Sequence, residues 1–284
     1  MKKAYPYLLL LPVLMLMLLF IVGLADGVLQ SFGIFPAAGL TEPTLSYYRE
    51  VLSQGTLLSS TLYSLYLSLT SALLSTGIGV GVSALLACTG KREHFLFKVP
   101  VTFPHTVAAF LIITLFSQTG FFSRLAGSAG LISAAGEFPL LVQDGLGVGI
   151  ILAYLLKQAP YVMSVVLLLM RRVYARYGEA ARTLGASPRQ TFLYVIFPLC
   201  RPSVSSAFLI ILAYSFGSYE LPFLLGATLP RTLPVTAYLA FLSPNLADRP
   251  YAMVYNTLML AFGGLLTILY LLAFRRAAAA GKEI

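Results

Sequence analysis

RRVYARYGEAARTLGASPRQTFLYVIFPLCRP, residues 171–202, decides how the rest of the chain is read. It carries six arginines and a single acid, Glu179, and it separates two apolar runs, 146–170 and 203–225. A passive connection could be short and formless, whereas this one has internal pattern. Val173, Tyr177, Ala180, Ala181 and Leu184 recur at helical spacing and make an apolar stripe, with Arg172, Arg176, Glu179 and Thr183 largely off it. Gly185 then offers the left-handed stop that glycine makes at little cost. Ser187 can cap the next helix, Pro188 suits its first position and Gln190 completes a capping box. The pattern predicts two short helices meeting at a sharp corner.

Working outward, the corner belongs to a membrane protein. Of 284 residues 58% are hydrophobic and 10% charged, with mean hydropathy +0.86. A soluble domain carries about 25% charged residues, so this chain lacks the polar surface to face water all round. Six apolar runs, 7–25, 57–88, 99–117, 146–170, 203–225 and 253–274, are each long enough to cross about 30 Å of hydrocarbon. An even number of crossings puts both termini on one side. That side collects fourteen of the nineteen basic residues: Lys2, Lys3, Lys91, Arg92, Lys98, Arg171, Arg172, Arg176, Arg182, Arg189, Arg201, Arg275, Arg276 and Lys282. Arg49, Arg124, Arg231 and Arg249 fall opposite, and Lys157 lies within a span. The bias makes the first side cytoplasmic. The net charge of +9 therefore records orientation and gives no reason to invoke nucleic acid.

The expected fold is all-α: a polytopic six-helix membrane bundle with N-in, C-in topology. Residues 7–25 exceed a signal-peptide core and lack a good cleavage site, which favours a retained anchor. Residues 57–88 are too long for one perpendicular crossing and must tilt, kink or project. Within them Gly77 and Gly81 share a face on which another backbone can approach closely. Gly120-Phe121-Phe122 and Gly130-Leu131-Ile132 look like short interfacial pieces of the external loops. Cys88 and Cys200 fall near cytoplasmic helix ends, so they should be reduced thiols. His94 and His105 have no partners at ligand spacing, which argues against a metal site.

At the corner the chain resembles a known family. Glu179-Ala180-Ala181, three residues, Gly185, nine residues, then Val195-x-Phe197-Pro198 is similar to the EAA loop of type I ABC-importer permeases, with Val195 and Phe197 in place of the usual Ile and Leu. The resemblance implies an anchor helix and first external loop over 1–56, a permease core over 57–274 containing the coupling loop 171–202, and a cytoplasmic tail over 275–284. It implies that Glu179, Ala180, Ala181, Gly185, Ser187 and Pro198 couple the chain to an ATPase. The implied partners are two copies of a cytoplasmic ABC ATPase, a second permease that is homologous rather than identical, an extracytoplasmic solute-binding protein and membrane lipid. The chain has no G-x4-G-K-[ST] phosphate loop, so ATP and Mg would be bound by the partner ATPase and this subunit would hold no cofactor and catalyse nothing. The implied location is the bacterial cytoplasmic membrane.

Two ionisable residues fall deep within spans, where each costs a few kcal/mol and should face a cavity or a partner. Counted from the cytoplasmic ends, Lys157 lies roughly 21 Å above Arg171 and Glu220 roughly 28 Å above Arg201. The expectation is that they are neighbours in the translocation path; a structural ion pair fixing helix register is the competing reading. Tyr154, Tyr161 and Tyr219 join them as path candidates, with Gln158 and Tyr214 nearby, and Pro160 and Pro222 are expected to break or bend their helices. Aromatic faces beside a carboxylate favour organic cations. The segment 216–226, with 233–235 and 247–253, also resembles spermidine/putrescine-type permeases, which implies a polyamine cargo. Thiamine, ferric-ion and phosphonate importers share much of the pattern. A secondary transporter or channel would also suit six helices and buried charges, but predicts inverted repeats that the sequence does not display.

Overall fold

The structure, a computed structural model, describes residues 5–90, 95–97 and 99–280. Lys2, Lys3, Lys91, Arg92, His94, Lys98 and Lys282, used above for topology and metal binding, lie outside the described residues. The described residues contain helices α1 (Tyr5–Ser31), α2 (Ser46–Ser53), α3 (Gly55–Thr89), α4 (Val99–Thr102), α5 (His105–Phe116), α6 (Phe121–Ser128) and α7 (Val148–Val173). They continue with α8 (Glu179–Thr183), α9 (Pro188–Thr191), α10 (Phe197–Gly217), α11 (Glu220–Leu225), α12 (Leu233–Phe241) and α13 (Arg249–Ala280). No strand is found among the described residues. Six helical stretches are long and apolar enough to span a membrane, as the sequence predicts.

The chain forms two compact units, Met1–Leu58 with Leu233–Phe262, and Ser59–Thr232 with Gly263–Ile284. In the first, the phenol of Tyr251 donates to Glu50 at 2.5 Å, and its ring packs edge-on to Tyr47 at 5.0 Å. Ser31 and Tyr48 share a hydroxyl contact of 2.7 Å. Asn245 caps the turn Leu246–Asp248 that leads into α13.

The second unit holds the functional geometry, and α7 is its centre. One end packs with α3, α5 and α11 around Tyr63, Leu67, Ala109, Ile112, Ile150, Tyr154, Leu221 and Leu225. The other end packs with α3 and α10 around Ala72, Val162, Val166, Met170, Cys200, Val204 and Ile211. Apolar burial does not drive helix pairing in lipid as it does in water, so close contact has to come from shape. Serines 60, 64, 68, 71, 75 and 83 form a buried, small face along α3. Gly79 continues that face: a Cβ there would lie 2.7 Å from the Val162 Cβ and 2.8 Å from the Ala159 carbonyl. Gly77 and Gly81, singled out from the sequence, have nothing within 4 Å of such a Cβ. The phase of the serine stripe, two residues out of step with them, decides which glycine meets α7.

The long second span is a single 35-residue helix, roughly 52 Å at the usual rise. Two other spans differ from their expected outlines. The third is interrupted at Phe103-Pro104, because proline drives its predecessor out of the helical region. The fifth stops at Gly217 and restarts at Glu220. Pro222 accounts for this: a helix through it would drive its ring against the carbonyl four residues back, that of Ser218. Ser218 is accordingly extended, with ψ 132°. Pro160, expected to act similarly, sits inside an unbroken α7.

Candidate functional site

Two sites emerge, one at a chain corner and one at a helix break. At the corner, α7 does not end at the membrane surface. It passes through a π-helical turn, Tyr174–Gly178, directly into α8, and α9 passes through a second, Phe192–Ile196, into α10. The two short helices expected as a separate loop are therefore the ends of two spanning helices. Near the second turn stands Pro198, exposed at the start of α10; a wider π turn accommodates the donor and space that proline removes. The first turn contains buried Gly178, where a Cβ would sit 3.1 Å from the Tyr174 ring.

The tip is closed by local bonds alone. Gly185 has φ +85°, its N–H donates to the Arg182 carbonyl, and the Ala186 N–H donates to the Ala181 carbonyl, both at 3.0 Å. This double bond pattern satisfies the carbonyls that a helix end leaves open. Ser187 accepts from the Gln190 N–H at 3.3 Å, and the Ser187 N–H donates to the Gln190 side chain at 2.8 Å. The capping box read from the sequence is present. Glu179 and Ala180 are exposed and Ala181 is half-buried. The far end of the apolar stripe, by contrast, is uncovered: Val173 is buried and Ala181 half-buried, but Leu184 is 88% exposed, and Tyr194, beyond the corner, is 77% exposed. A stiff corner presenting bare leucine and tyrosine is built to be covered by something else.

At the break, the side chains come from four helices. The Lys157 amine, on α7, donates to the Phe103 carbonyl beside the Pro104 interruption. Glu220 opens α11, and its side chain is 43% exposed. The competing reading, a structural ion pair between the two, is not what these side chains form. His105 takes the carboxylate instead, with Nδ1 3.7 Å from Glu220 Oε2. Its Nε2 lies 3.0 Å from the Tyr214 hydroxyl, and the two rings are tilted at 5.4 Å. Lys157 thus serves the third span's break and His105 serves the fifth's.

Behind this surface runs a buried polar line. Gln158 donates to Ser215 Oγ at 2.5 Å and faces the Ser75 hydroxyl at 3.4 Å, and Ser215 donates onward to the Ile211 carbonyl. The Tyr154 hydroxyl donates to the Ser215 carbonyl at 3.4 Å, one of the last-turn acceptors that the end of α10 leaves without a helical donor. Tyr154 is 1% exposed and half-buried Tyr161 packs against the α3–α7–α10 core, and neither lines the groove at the break. Glu220, Tyr214 and Tyr219 do: with Ala213, Gly217 and Ser218 they line an open groove of about 390 Å³. Sequence reasoning weighed His105 solely as a metal ligand and missed its place here. A lone polar residue after Pro104, inside an apolar run, was the available signal.

No family model matches the chain. It is 26% identical over 211 residues to the molybdenum transport system permease protein ModB of Azotobacter vinelandii, covering 73% of this chain and 86% of that one. It is 23% identical over 222 residues to the ferric transport system permease protein FbpB of Actinobacillus pleuropneumoniae, 77% of this chain and 31% of that one. Sulfate transport permeases are further relatives. The chain spans 28%, 60% and 31% of three of the curated relatives it matches. Its fold is that of a bacterial ABC transporter that imports alginate, at TM-score 0.78 and 16% identity, with 97% of this chain and 96% of that one superposed. A further relative, 26% identical over 147 residues, is the inner membrane ABC transporter permease protein YdcU of Escherichia coli, and with six helices long and apolar enough to span a membrane the chain is a multi-pass protein of the bacterial cytoplasmic membrane.

Proposed function

We propose that this chain is a permease subunit of an ATP-driven importer, lining the path of a small solute and receiving its mechanical input at the α8–α9 elbow. The observation that carries the reading is the exposed apolar tip on an internally satisfied corner. A flexible loop would absorb a displacement; here any push on Leu184 or Glu179 is delivered along helices continuous with α7 and α10. The partner would be a cytoplasmic ATPase pair holding ATP and Mg, with a second permease and a solute-binding protein completing the assembly. The alginate importer has been seen with a periplasmic protein bound, a precedent for the last of these.

The groove supports a cationic cargo, a polyamine or ferric ion, over an oxyanion. Its charged group is a carboxylate flanked by tyrosines, and the nearby amine is directed at a backbone carbonyl. Sulfate and molybdate, carried by several relatives, are the alternative. Purification from native membranes in mild detergent tests the assembly: co-purification of a nucleotide-hydrolysing subunit supports it, and a lone chain able to accumulate solute refutes it. Uptake of labelled spermidine, ferric ion, sulfate and molybdate by cells overproducing the assembly tests the cargo, and uptake confined to the two oxyanions would overturn the cation reading.

A further inference from the structure

We propose that His105 sets the charge of the groove at the α10–α11 break: with a neutral imidazole the groove selects cations, and with an imidazolium it loses that selectivity. This deepens the cation reading given above and rests on it. Among the described residues, three charged or titratable groups face the ring. Glu220 approaches Nδ1 from α11, the Tyr214 hydroxyl meets Nε2 from α10, and Lys157 stands on α7 with its amine on the Phe103 carbonyl. Of these, Glu220 and Tyr214 line the groove.

The two states follow from the donors available. A neutral ring carries one proton. With it on Nδ1, the side that faces the carboxylate at 3.7 Å, Nε2 accepts from the Tyr214 hydroxyl. Glu220 then keeps its full charge at the groove surface. A protonated ring donates from both nitrogens. Its positive charge lies 3.7 Å from Glu220, cancelling the groove's net charge, and the Tyr214 hydroxyl becomes an acceptor. Histidine is the side chain whose charge changes within the physiological range, so the site can switch without any helix moving. Two features favour a functional role over simple packing: the carboxylate is 43% exposed, and the ring spans a break rather than filling a core.

The test reads the groove's potential without needing the cargo. In the assembled transporter, with Cys88 and Cys200 replaced by alanine, Ser218→Cys supplies a reporter thiol, and Ala213→Cys supplies a second should the first fail to fold. Cationic and anionic methanethiosulfonates are compared as a ratio of labelling rates, which cancels the pH dependence of the thiol itself. At about pH 8 we expect the cationic reagent to be favoured about tenfold, and Glu220→Gln to erase the preference. At about pH 5.5 the native ratio should fall several-fold, whereas His105→Gln should hold one ratio at both values. Absence of a cationic preference at the higher pH, or its survival in Glu220→Gln, overturns the cation reading. A preference that Glu220→Gln does erase, but that is independent of pH or falls equally in His105→Gln, overturns the role of His105 alone. Failure of both reporters to label at all overturns both, because the groove would then be closed to water.

Discussion

The elbow between α8 and α9 and the break between α10 and α11 are both places where a helix stops, and they are held in opposite ways. At the elbow, these closing bonds join residues within five positions: Ala186 to Ala181, Gly185 to Arg182, Ser187 to Gln190. At the break, the contacts reach 57 positions to Gln158, 61 to Tyr154 and 109 to His105. The elbow is therefore closed by its own residues, and a push on it passes into the two long helices that it joins. The break is where two other helices, α7 and α5, register any movement of α10. A transporter needs both: a corner that transmits force and a joint that responds to it.

That contrast can be broken or sharpened by substitution, and the elbow should give the largest effect. Gly185→Val places a β-branched residue at φ +85°, which forces the corner to rebuild. We expect solute uptake to fall by more than about tenfold while membrane levels of the chain stay near normal, because the strain is confined to a tip outside the core. Loss of the chain from the membrane would show that the corner is not self-contained. Glu220→Gln comes next. It should lower cation uptake about fivefold or more and leave ATPase association intact, since the residue faces an open groove.

Lys157→Met should act on stability more than on transport. It leaves the Phe103 carbonyl without its charged donor, a loss of about 1–3 kcal/mol visible as a lowered melting temperature in detergent. A large uptake defect with unchanged melting would instead put Lys157 in the path. The smallest effect belongs to Ser187→Ala, which removes one cap at a cost of about 1 kcal/mol. We expect about a twofold loss of coupling, measured as solute moved per ATP hydrolysed, with no change in assembly.

The same contrast explains what could be read from sequence. Turn and cap chemistry is contiguous, so Gly185, Ser187, Pro188 and Gln190 are enough by themselves to announce the elbow. Hydropathy announced six spans but says nothing about where a backbone stops within one. Residues 203–225 looked like a single crossing although Pro222 ends α10 through its clash with the position of Ser218. Gly77 and Gly81 fit a spacing rule, yet the contact went to Gly79 because the serine stripe sets which face of α3 meets α7. Depth counting brought Lys157 and Glu220 to similar heights and so suggested a pair. It could not reveal that the interrupted third span sets His105 beside Glu220 and the Phe103 carbonyl beside Lys157. Distances along the chain are written in the sequence, whereas partners across helices are written in packing.

The central claim is that the tip at Leu184 is covered by a nucleotide-hydrolysing partner. Leu184→Cys, in a chain with Cys88 and Cys200 replaced, offers a thiol at a position now 88% exposed. A short bifunctional crosslinker applied to native membranes should join it to the ATPase subunit in high yield. An assembly that still accumulates solute, yet gives no crosslink from this position to any ATPase, would contradict the account.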